Sequence, residues 1–541
     1  YRRLKSNNQL NSIFLNPTNP DEIIKITNKF KASNSSGFDN ISTKLLKLII
    51  NEIAPVLSHI FNRSLLTGIV PSQLKIAKVN PVFKSNDCHV FSNYRPISIL
   101  PSISKILEKI AYNRLLDFVT KNDIFSPHQY GFRPKRSTYM AINDLYCKIT
   151  SDLDNKHYSL GIFLDLSKAF DTLNHDILLD KLYAYGIRGL ANSWIKNYLS
   201  GRKQYVSYNN TNSAFNDIIC GVPQGSILGP LLFLLYINDL PLSSPSSHFI
   251  IFADDTNILF SHKDPVQLEK LINIELKKIS NWFKLNKLSL NIDKTNFMIF
   301  KNKHNNKTMP DFTIEIDNKC IEQVDTTKFL GILIDNNLTW KAHTSHVTKI
   351  VSKYNGIIRK VRPFLNSESL HTLYNTLVLP YLTYCTIVWG DKNNSNLNSL
   401  FITQKKIVRT CTNSLWLAHT TPLFISLKKF KIFDIYSYQL AIHMYRYHHD
   451  LLPLGLPNNH FPSQADIHDY NTRQVNDLHV NPTNTKLAQN NIKTQGPLIW
   501  NKLNIKIKNS PSLASFKTSL KKYILDQYNS STVNNKHAST S

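Results

Sequence analysis

The sequence predicts an α+β fold: a mixed part rich in hairpins up to about residue 340, then a mostly helical, strongly basic part. Three observations carry this. Short β-prone runs alternate with helical patterns over the first 340 residues, without a repeating strand–helix–strand order. Beyond Trp340 the apolar spacing turns helical, as in "SHVTKIVSKYNGIIRKVRPFL" and "LHTLYNTLVLPYLTYCTIVW". The charge shifts too: residues 341–541 hold 24 Lys and Arg against 8 Asp and Glu, net +16, whereas residues 1–340 hold 40 against 29, net +11.

Each element follows from local pattern. "LGIFLDLSKAF" (160–170) reads as a buried strand, and "HDILLDKLYAYG" (175–186) as a helix with Gly186 where a left-handed C-terminal cap belongs. In "CGVPQGSILGPLLFLLYINDLP" (220–241), Gly221, Pro223, Gln224, Gly225 and Gly229 make a loop whose backbone can approach a ligand closely. Pro230 suits a helix start, and the apolar run after it reads as a buried helix ending near Pro241. "FIIFADDTNILF" (249–260) reads as a hairpin with Asp254 and Asp255 at its tip. Asp264-Pro265 is a cap followed by Pro at the first helical position, and Leu268, Ile272, Leu276, Ile279 and Phe283 mark one helical face. "LSLNIDKTNFMIF" and "KFLGILID" read as two further strands. Residues 450 to 495, rich in Asn, Pro, His and Thr, read as an irregular connection, and "FKTSLKKYILDQY" as a closing amphipathic helix.

At 541 residues and 42% hydrophobic content, the chain has room for two to four domains with a sizeable core. Its formal charge of +27 implies an acidic partner, nucleic acid or an anionic surface. The most apolar run, "LLFLLYI", falls far short of the ~20 residues that span a bilayer, so no membrane association is expected. The opening residues lack the apolar core of a secretion signal, and six scattered cysteines show no zinc spacing. Reduced thiols in nucleus or cytoplasm, in a protein that is not secreted, are therefore expected. A first residue Tyr1 in place of Met is expected of a fragment or processed product.

The chemistry is concentrated in carboxylates. Asp165 lies inside an apolar run, where a lone charge is costly unless paired or bound to a metal. With Asp254 and Asp255 it offers three oxygen ligands that suit Mg²⁺. Two such ions ~4 Å apart promote in-line displacement at phosphorus. A surface turn is the bland alternative for the aspartate pair.

"FLDLSKAFD", "GVPQGSILGPLLFLLYINDLP" and "FADD", in this order, resemble catalytic motifs A, B and C of reverse transcriptases. "SSGFDNIS", "NYRPISILPSISKILEKI", "QYGFRPKRST", "WFKLNKLSLNIDKT" and "KFLGILID" resemble blocks of the non-LTR (LINE-like) retrotransposon polymerases. The resemblance implies a right-hand polymerase: fingers, a palm with an antiparallel sheet, and a helical thumb, plus a basic, mostly helical C-terminal extension. Its expected boundaries are 1–34 for an N-terminal linker or remnant, 35–340 for fingers and palm, 341–450 for thumb or connection, and 451–541 for the extension.

The same resemblance implies roles. Asp165, Asp254 and Asp255 would hold two Mg²⁺ ions, with Mn²⁺ a substitute, and Lys294 would be a proton donor to departing pyrophosphate. Arg95, Lys105, Phe170 (an aromatic gate against a ribose 2′-hydroxyl), Gln224 and Gly225 would bind the nucleotide. Gln129, Gly131, Phe132, Arg133, Phe329, Leu330 and Gly331 would meet template or primer. The implied partners are an RNA template, a DNA primer or target DNA, and dNTPs. The family's endonuclease has no recognisable counterpart in this sequence and is expected upstream in the full-length protein. A group II intron maturase-like enzyme, a viral RNA-dependent RNA polymerase and an inactive RNA-binding relic remain as alternatives.

Overall fold

The computed structural model describes residues 11–537 apart from 86, 210, 302–310, 392–394, 454, 457–459 and 468–476. The first ten residues of the expected N-terminal remnant, and parts of the expected extension, lie outside the described residues. The chain divides into two compact units, each assembled from separated stretches. One comprises Tyr1–Phe132, Asp165–Ser247 and Ile274–Ile292; the other comprises Arg133–Leu164, His248–Asn273 and Asp293–Ser541.

The second unit is built on a five-stranded sheet. Its strands are β1 (Tyr158–Leu164), β2 (His248–Phe252), β3 (Asp255–His262), β4 (Asn296–Phe300) and β5 (Glu322–Gln323), in the order β5-β4-β1-β3-β2. Every residue of β1 after Tyr158 is buried, which explains its unbroken apolar run: a central strand covered on both faces has no polar side. Gly161 sits at its middle because a Cβ there would come within 3.0 Å of the Phe300 ring and 3.2 Å of Leu259. β1 runs antiparallel to β3 and β4. The helix Thr138–Asp154 packs on β1 and β2 through buried residues that include Met140, Leu145 and Ile149.

Helices dominate the rest of this unit. Lys341–Val361 packs on Leu397–Cys411, and Ile432–His448 packs on both Ile492–Asn501 and Leu513–His537. The closing helix buries Phe516, Leu520, Ile524 and Tyr528, the face its sequence spacing predicts. The Tyr445 and Phe516 rings stack at 4.3 Å. The basic C-terminal stretch also returns to the helix that precedes β1. Asp154 Oδ1 accepts from the Thr485 N–H (2.7 Å), the Thr485 hydroxyl (2.9 Å) and the Asn484 N–H (2.8 Å).

In the first unit, the strand Ile76–Phe83 pairs antiparallel with Tyr94–Ile99 and parallel with Arg202–Tyr208. The helix Leu228–Ile237 has every residue after Leu228 buried except Pro230, as the sequence predicts. Two buried carboxylates tie the helices around it together. Glu108 accepts from the Tyr198 hydroxyl (3.0 Å) and the Ile227 N–H (2.6 Å), and burial raises its pKa. Lys181 and Asp239, 1% and 4% exposed, meet at 2.6 Å. Among the described residues, the helix Thr43–Thr67 alone is long and apolar enough to cross a membrane by length and composition, which the run-length reading of the sequence overlooked. It buries Leu46, Ile50, Ala54, Leu57, Phe61 and Leu65 within its unit.

Several expected elements differ in detail. "KFLGILID" is a hairpin, not one strand: β6 (Thr326–Phe329) and β7 (Ile332–Asp335) join through Leu330 at φ +46° and Gly331 at φ +82°. Two successive positive φ angles are what a two-residue hairpin turn needs, and Gly331 supplies one of them without strain. "LSLNIDKTNFMIF" contains an isolated bridge at Leu290 and a 3₁₀ turn at Ile292–Lys294, and only Asn296–Phe300 forms a strand. The helix expected over 370–389 breaks at Tyr384 and Cys385, the latter at φ +52°. Gly186, by contrast, has φ +93° just beyond the helix His175–Ala184, as a left-handed cap requires.

Candidate active site

The β2–β3 hairpin closes tightly. Phe252 pairs with Asp255, leaving a two-residue turn, Ala253-Asp254. Turns this short favour positive φ at the first central residue, where Gly or Asn is at ease. Ala253 adopts φ +59°, a conformation that costs a Cβ-bearing residue roughly 1–2 kcal/mol. Both aspartates are exposed, while Thr256 to Phe260 behind them are buried. The charges thus stand at the open end of a rigid ladder. In the neighbouring strand, Leu164 is opposite Thr256, and Asp165 is the next residue of the chain. Asp165 is half-buried; its carbonyl accepts the Asn291 N–H at 2.9 Å, and Leu166 bridges to Leu290.

The glycine-rich loop is a second built feature, within the first unit. The Gly221 N–H donates to the Leu173 carbonyl and the Val222 N–H to the Phe170 carbonyl, both at 2.8 Å. At Gly221, φ is +77° and a Cβ would lie 2.5 Å from the Asp171 carbonyl oxygen. At Gly225, φ is +129° and a Cβ would run into the Ser98 carbonyl oxygen. The glycines are required because backbone passes against backbone on both sides. The Ser98 N–H donates to Gln224 O at 2.8 Å, fastening the loop to the strand Tyr94–Ile99.

Gln224 is held from its side-chain end as well. Its Nε2 donates to both carboxylate oxygens of Asp171, at 2.9 Å each. Burial raises the Asp171 pKa, against the lowering effects of Gln224 and Lys168. Sequence reading assigned no role to Asp171, although it closes the quoted run "FLDLSKAFD"; that carboxylate was the available signal. Phe170, half-buried beside it, packs its ring on Phe233 at 4.6 Å.

The remaining candidates sit as follows. Arg95 is exposed on its strand, and Lys105 is half-buried in the first turn of the helix Ser102–Lys121. Gln129 is buried, and its Oε1 accepts the Gly131 N–H at 2.9 Å, so this side chain shapes the turn. Gly131 is buried, Phe132 is 56% exposed at φ +50°, and Arg133 is half-buried. That backbone conformation is strained for a bulky residue, and Phe132 shares it with Leu330, Leu338 and Trp340. Lys294 is exposed in the 3₁₀ turn before β4. Phe329 is buried against Phe163 of β1, ring centroids 5.8 Å apart. Leu330 is half-buried and Gly331 exposed; the Leu330 carbonyl accepts the Tyr384 hydroxyl at 2.6 Å.

Residues 82–334 match the family profile described as "Reverse transcriptase (RNA-dependent DNA polymerase)". The chain carries a reverse transcriptase domain. Every candidate residue named from the sequence falls within it. The chain is 29% identical over 469 residues to the probable RNA-directed DNA polymerase from transposon BS of Drosophila melanogaster, an alignment covering 82% of this chain and 50% of that protein. It is 28% identical over 448 residues to the corresponding protein of transposon X-element from the same organism, covering 80% and 48%. With the RNA-directed DNA polymerase from mobile element jockey, again of Drosophila melanogaster, it shares 27% identity over 443 residues, covering 78% and 47%. The relatives it matches are thus polymerases named for transposons and mobile elements. The chain spans about half the length of these curated relatives.

Proposed function

We propose that this chain is an RNA-directed DNA polymerase of a LINE-like element, adding dNTPs to a primer 3′-hydroxyl on an RNA template. In this reading it is a right-hand enzyme whose fingers and palm span residues 35–340, with a helical thumb to about 450 and a basic extension beyond. The observation that carries the reading is the two-residue turn presenting Asp254 and Asp255, uncovered, at the end of a buried antiparallel ladder. The strand beside it leads straight into Asp165.

The donor set fits a hard divalent cation, because three carboxylates offer only oxygen ligands. Asp165, Asp254 and Asp255 would hold two Mg²⁺ ions, and when bound these supply activation of the attacking hydroxyl and neutralisation of charge at the α-phosphate. The chain's own groups do the remaining work. Arg95 and Lys105 neutralise and orient the triphosphate, a task that favours the planar donor fork of Arg. Gln224, braced by Asp171, and Gly225 lie along the nucleotide. The Phe170 ring, steadied by Phe233, closes the space a ribose 2′-hydroxyl would take. Lys294 gives a proton to the departing pyrophosphate. Phe132 and Arg133 reach template or primer backbone. Positioning and charge neutralisation account for most of the rate enhancement.

Primer extension on an RNA template with Mg²⁺ and dNTPs, comparing this chain with Asp254→Asn, tests the reading. Extension abolished in the variant, with RNA binding retained, is the expected outcome. Equal extension by both overturns the assignment, and preferential use of rNTPs would transfer it to an RNA polymerase.

A further inference from the structure

We propose that the loop formed by residues 412–419 is a binding site for single-stranded RNA, with Trp416 stacking on a base while neighbouring cations meet the phosphates. The proposal deepens the polymerase reading and rests on it for the choice of RNA over other polyanions. Of the six tryptophans, Trp194, Trp340, Trp389 and Trp500 are buried and Trp282 is half-buried, whereas Trp416 is 63% exposed. Its neighbours are more exposed still: Leu415 at 83% and Leu417 at 89%. Single exposed apolar residues are ordinary, but three in succession around a tryptophan mark a surface that meets a partner.

The exposure is built into the fold. Arg409, near the end of the helix Leu397–Cys411, donates from Nε to the Ala418 carbonyl at 2.9 Å. Its own carbonyl accepts the Ser414 N–H at 3.0 Å. The Ala418 N–H donates to the Leu415 carbonyl at 3.0 Å, closing a turn with Trp416 and Leu417 at its centre. A hydroxyl pair, Thr412 and Ser414 at 2.8 Å, and Asn413 at φ +53° complete the exit from the helix. Four local hydrogen bonds therefore hold the loop in a shape that leaves its apolar side chains exposed.

Charge selects the partner. Between Asp391 and Asp434 the sequence has seven Lys and Arg and no carboxylate. Lys406 Nζ lies 5.6 Å from the Trp416 ring centroid, and Lys405 Nζ lies 4.3 Å from that of Phe401 on the same helix. Arg409 is half-buried at the base of the loop. Lys429 does not belong to this set, because it turns onto Asn375 and burial pushes its pKa down to about 8. An exposed aromatic face with a lysine beside it, on a stretch of chain that holds no carboxylate of its own, is the arrangement that tracks a nucleic-acid strand: every base offers a π-face, and the phosphates recur beside it. Three apolar residues offer too little area for a second copy of the chain to dock by burial alone.

The test uses the full chain and a 5′-fluorescein-labelled single-stranded RNA 20-mer, with binding followed by fluorescence anisotropy at several salt concentrations. Trp416→Ala is expected to bind roughly tenfold more weakly, within the range of one lost stacking contact, and Trp416→Phe to bind almost normally. The slope of log affinity against log salt should be unchanged in Trp416→Ala and shallower by about 0.7 in Lys406→Ala. RNA should quench tryptophan emission in the unaltered chain and quench it less in Trp416→Phe. Thermal melting that matches the unaltered chain certifies the variants as folded, as expected for an exposed side chain. Equal affinity of Trp416→Ala and the unaltered chain overturns the proposal. So does a Trp416→Ala variant whose only loss is binding to phosphatidylserine vesicles or self-association. RNA bound through Trp416 without any primer extension would sink the polymerase reading and leave this site standing; extension with RNA affinity indifferent to Trp416 does the reverse.

Discussion

Asp171→Asn separates a positioning role from a structural one. In the structure Gln224 Nε2 donates to both oxygens of the Asp171 carboxylate at 2.9 Å. A hydrogen bond to a charged group contributes about 1.5–3 kcal/mol and a neutral one about 1. Replacing the carboxylate by an amide of the same shape therefore removes roughly 1–2 kcal/mol of restraint on Gln224. If Gln224 must be held to receive the nucleotide, that converts to about five- to thirtyfold in kcat/KM for dNTP. Stability should move the other way. Burial raises the folded-state pKa of Asp171 above its ordinary value. A raised carboxylate favours folding below the unfolded pKa and loses that contribution as pH rises through the folded pKa. At pH 7 the ionised group is therefore a burden, and the asparagine relieves it. The expected signature is a Tm equal to or above that of the unaltered chain at pH 7, with the difference shrinking toward pH 4, alongside slower single-nucleotide incorporation. A Tm at pH 7 that falls together with activity would refute the reasoning, as would incorporation kinetics indistinguishable from the unaltered chain.

Three other perturbations have worked outcomes. Gly225→Ala forces a Cβ into the Ser98 carbonyl at φ +129°, and should cost roughly 1–3 kcal/mol in denaturant unfolding while also displacing Gln224 and suppressing incorporation. Asp239→Ala strands the buried Lys181 ammonium, which should destabilise by about 3–5 kcal/mol; Lys181→Met with Asp239→Leu should recover much of the loss in the same urea titration. His343 is buried against Trp389 at 5.1 Å, and burial pushes its imidazole pKa down to about 4. Its contribution is fully present above the unfolded value near 6.5 and is lost as pH falls toward 4, so stability should decline across that window, and His343→Gln should flatten the decline in urea titrations at successive pH values.

The elements legible in the sequence are those in which one residue carries one local cause. Leu268, Ile272, Leu276, Ile279 and Phe283 are all at most 1% exposed because a helix face repeats every three to four residues whatever it packs against. The β2–β3 hairpin could be read from two apolar runs around a polar pair. "KFLGILID" defeated the same logic, because Leu330, a residue at home in a strand, takes φ +46° in a two-residue turn, and only Gly331 hinted at it. The site divides along the same line. Asp165, Asp254 and Asp255 stood out as charges in apolar surroundings. The Asp171–Gln224 brace joins residues 53 apart in the chain, and no spacing rule pairs an acid with an amide across that interval. Trp416 was invisible for a related reason: sequence reports an aromatic residue's tendency to be buried, and only three-dimensional packing shows which of six tryptophans the fold leaves outside. Motifs therefore announce the groups proposed to touch a ligand. The residues that hold those groups in place, and the surfaces that bring a ligand to them, come from contacts between segments that the sequence does not order.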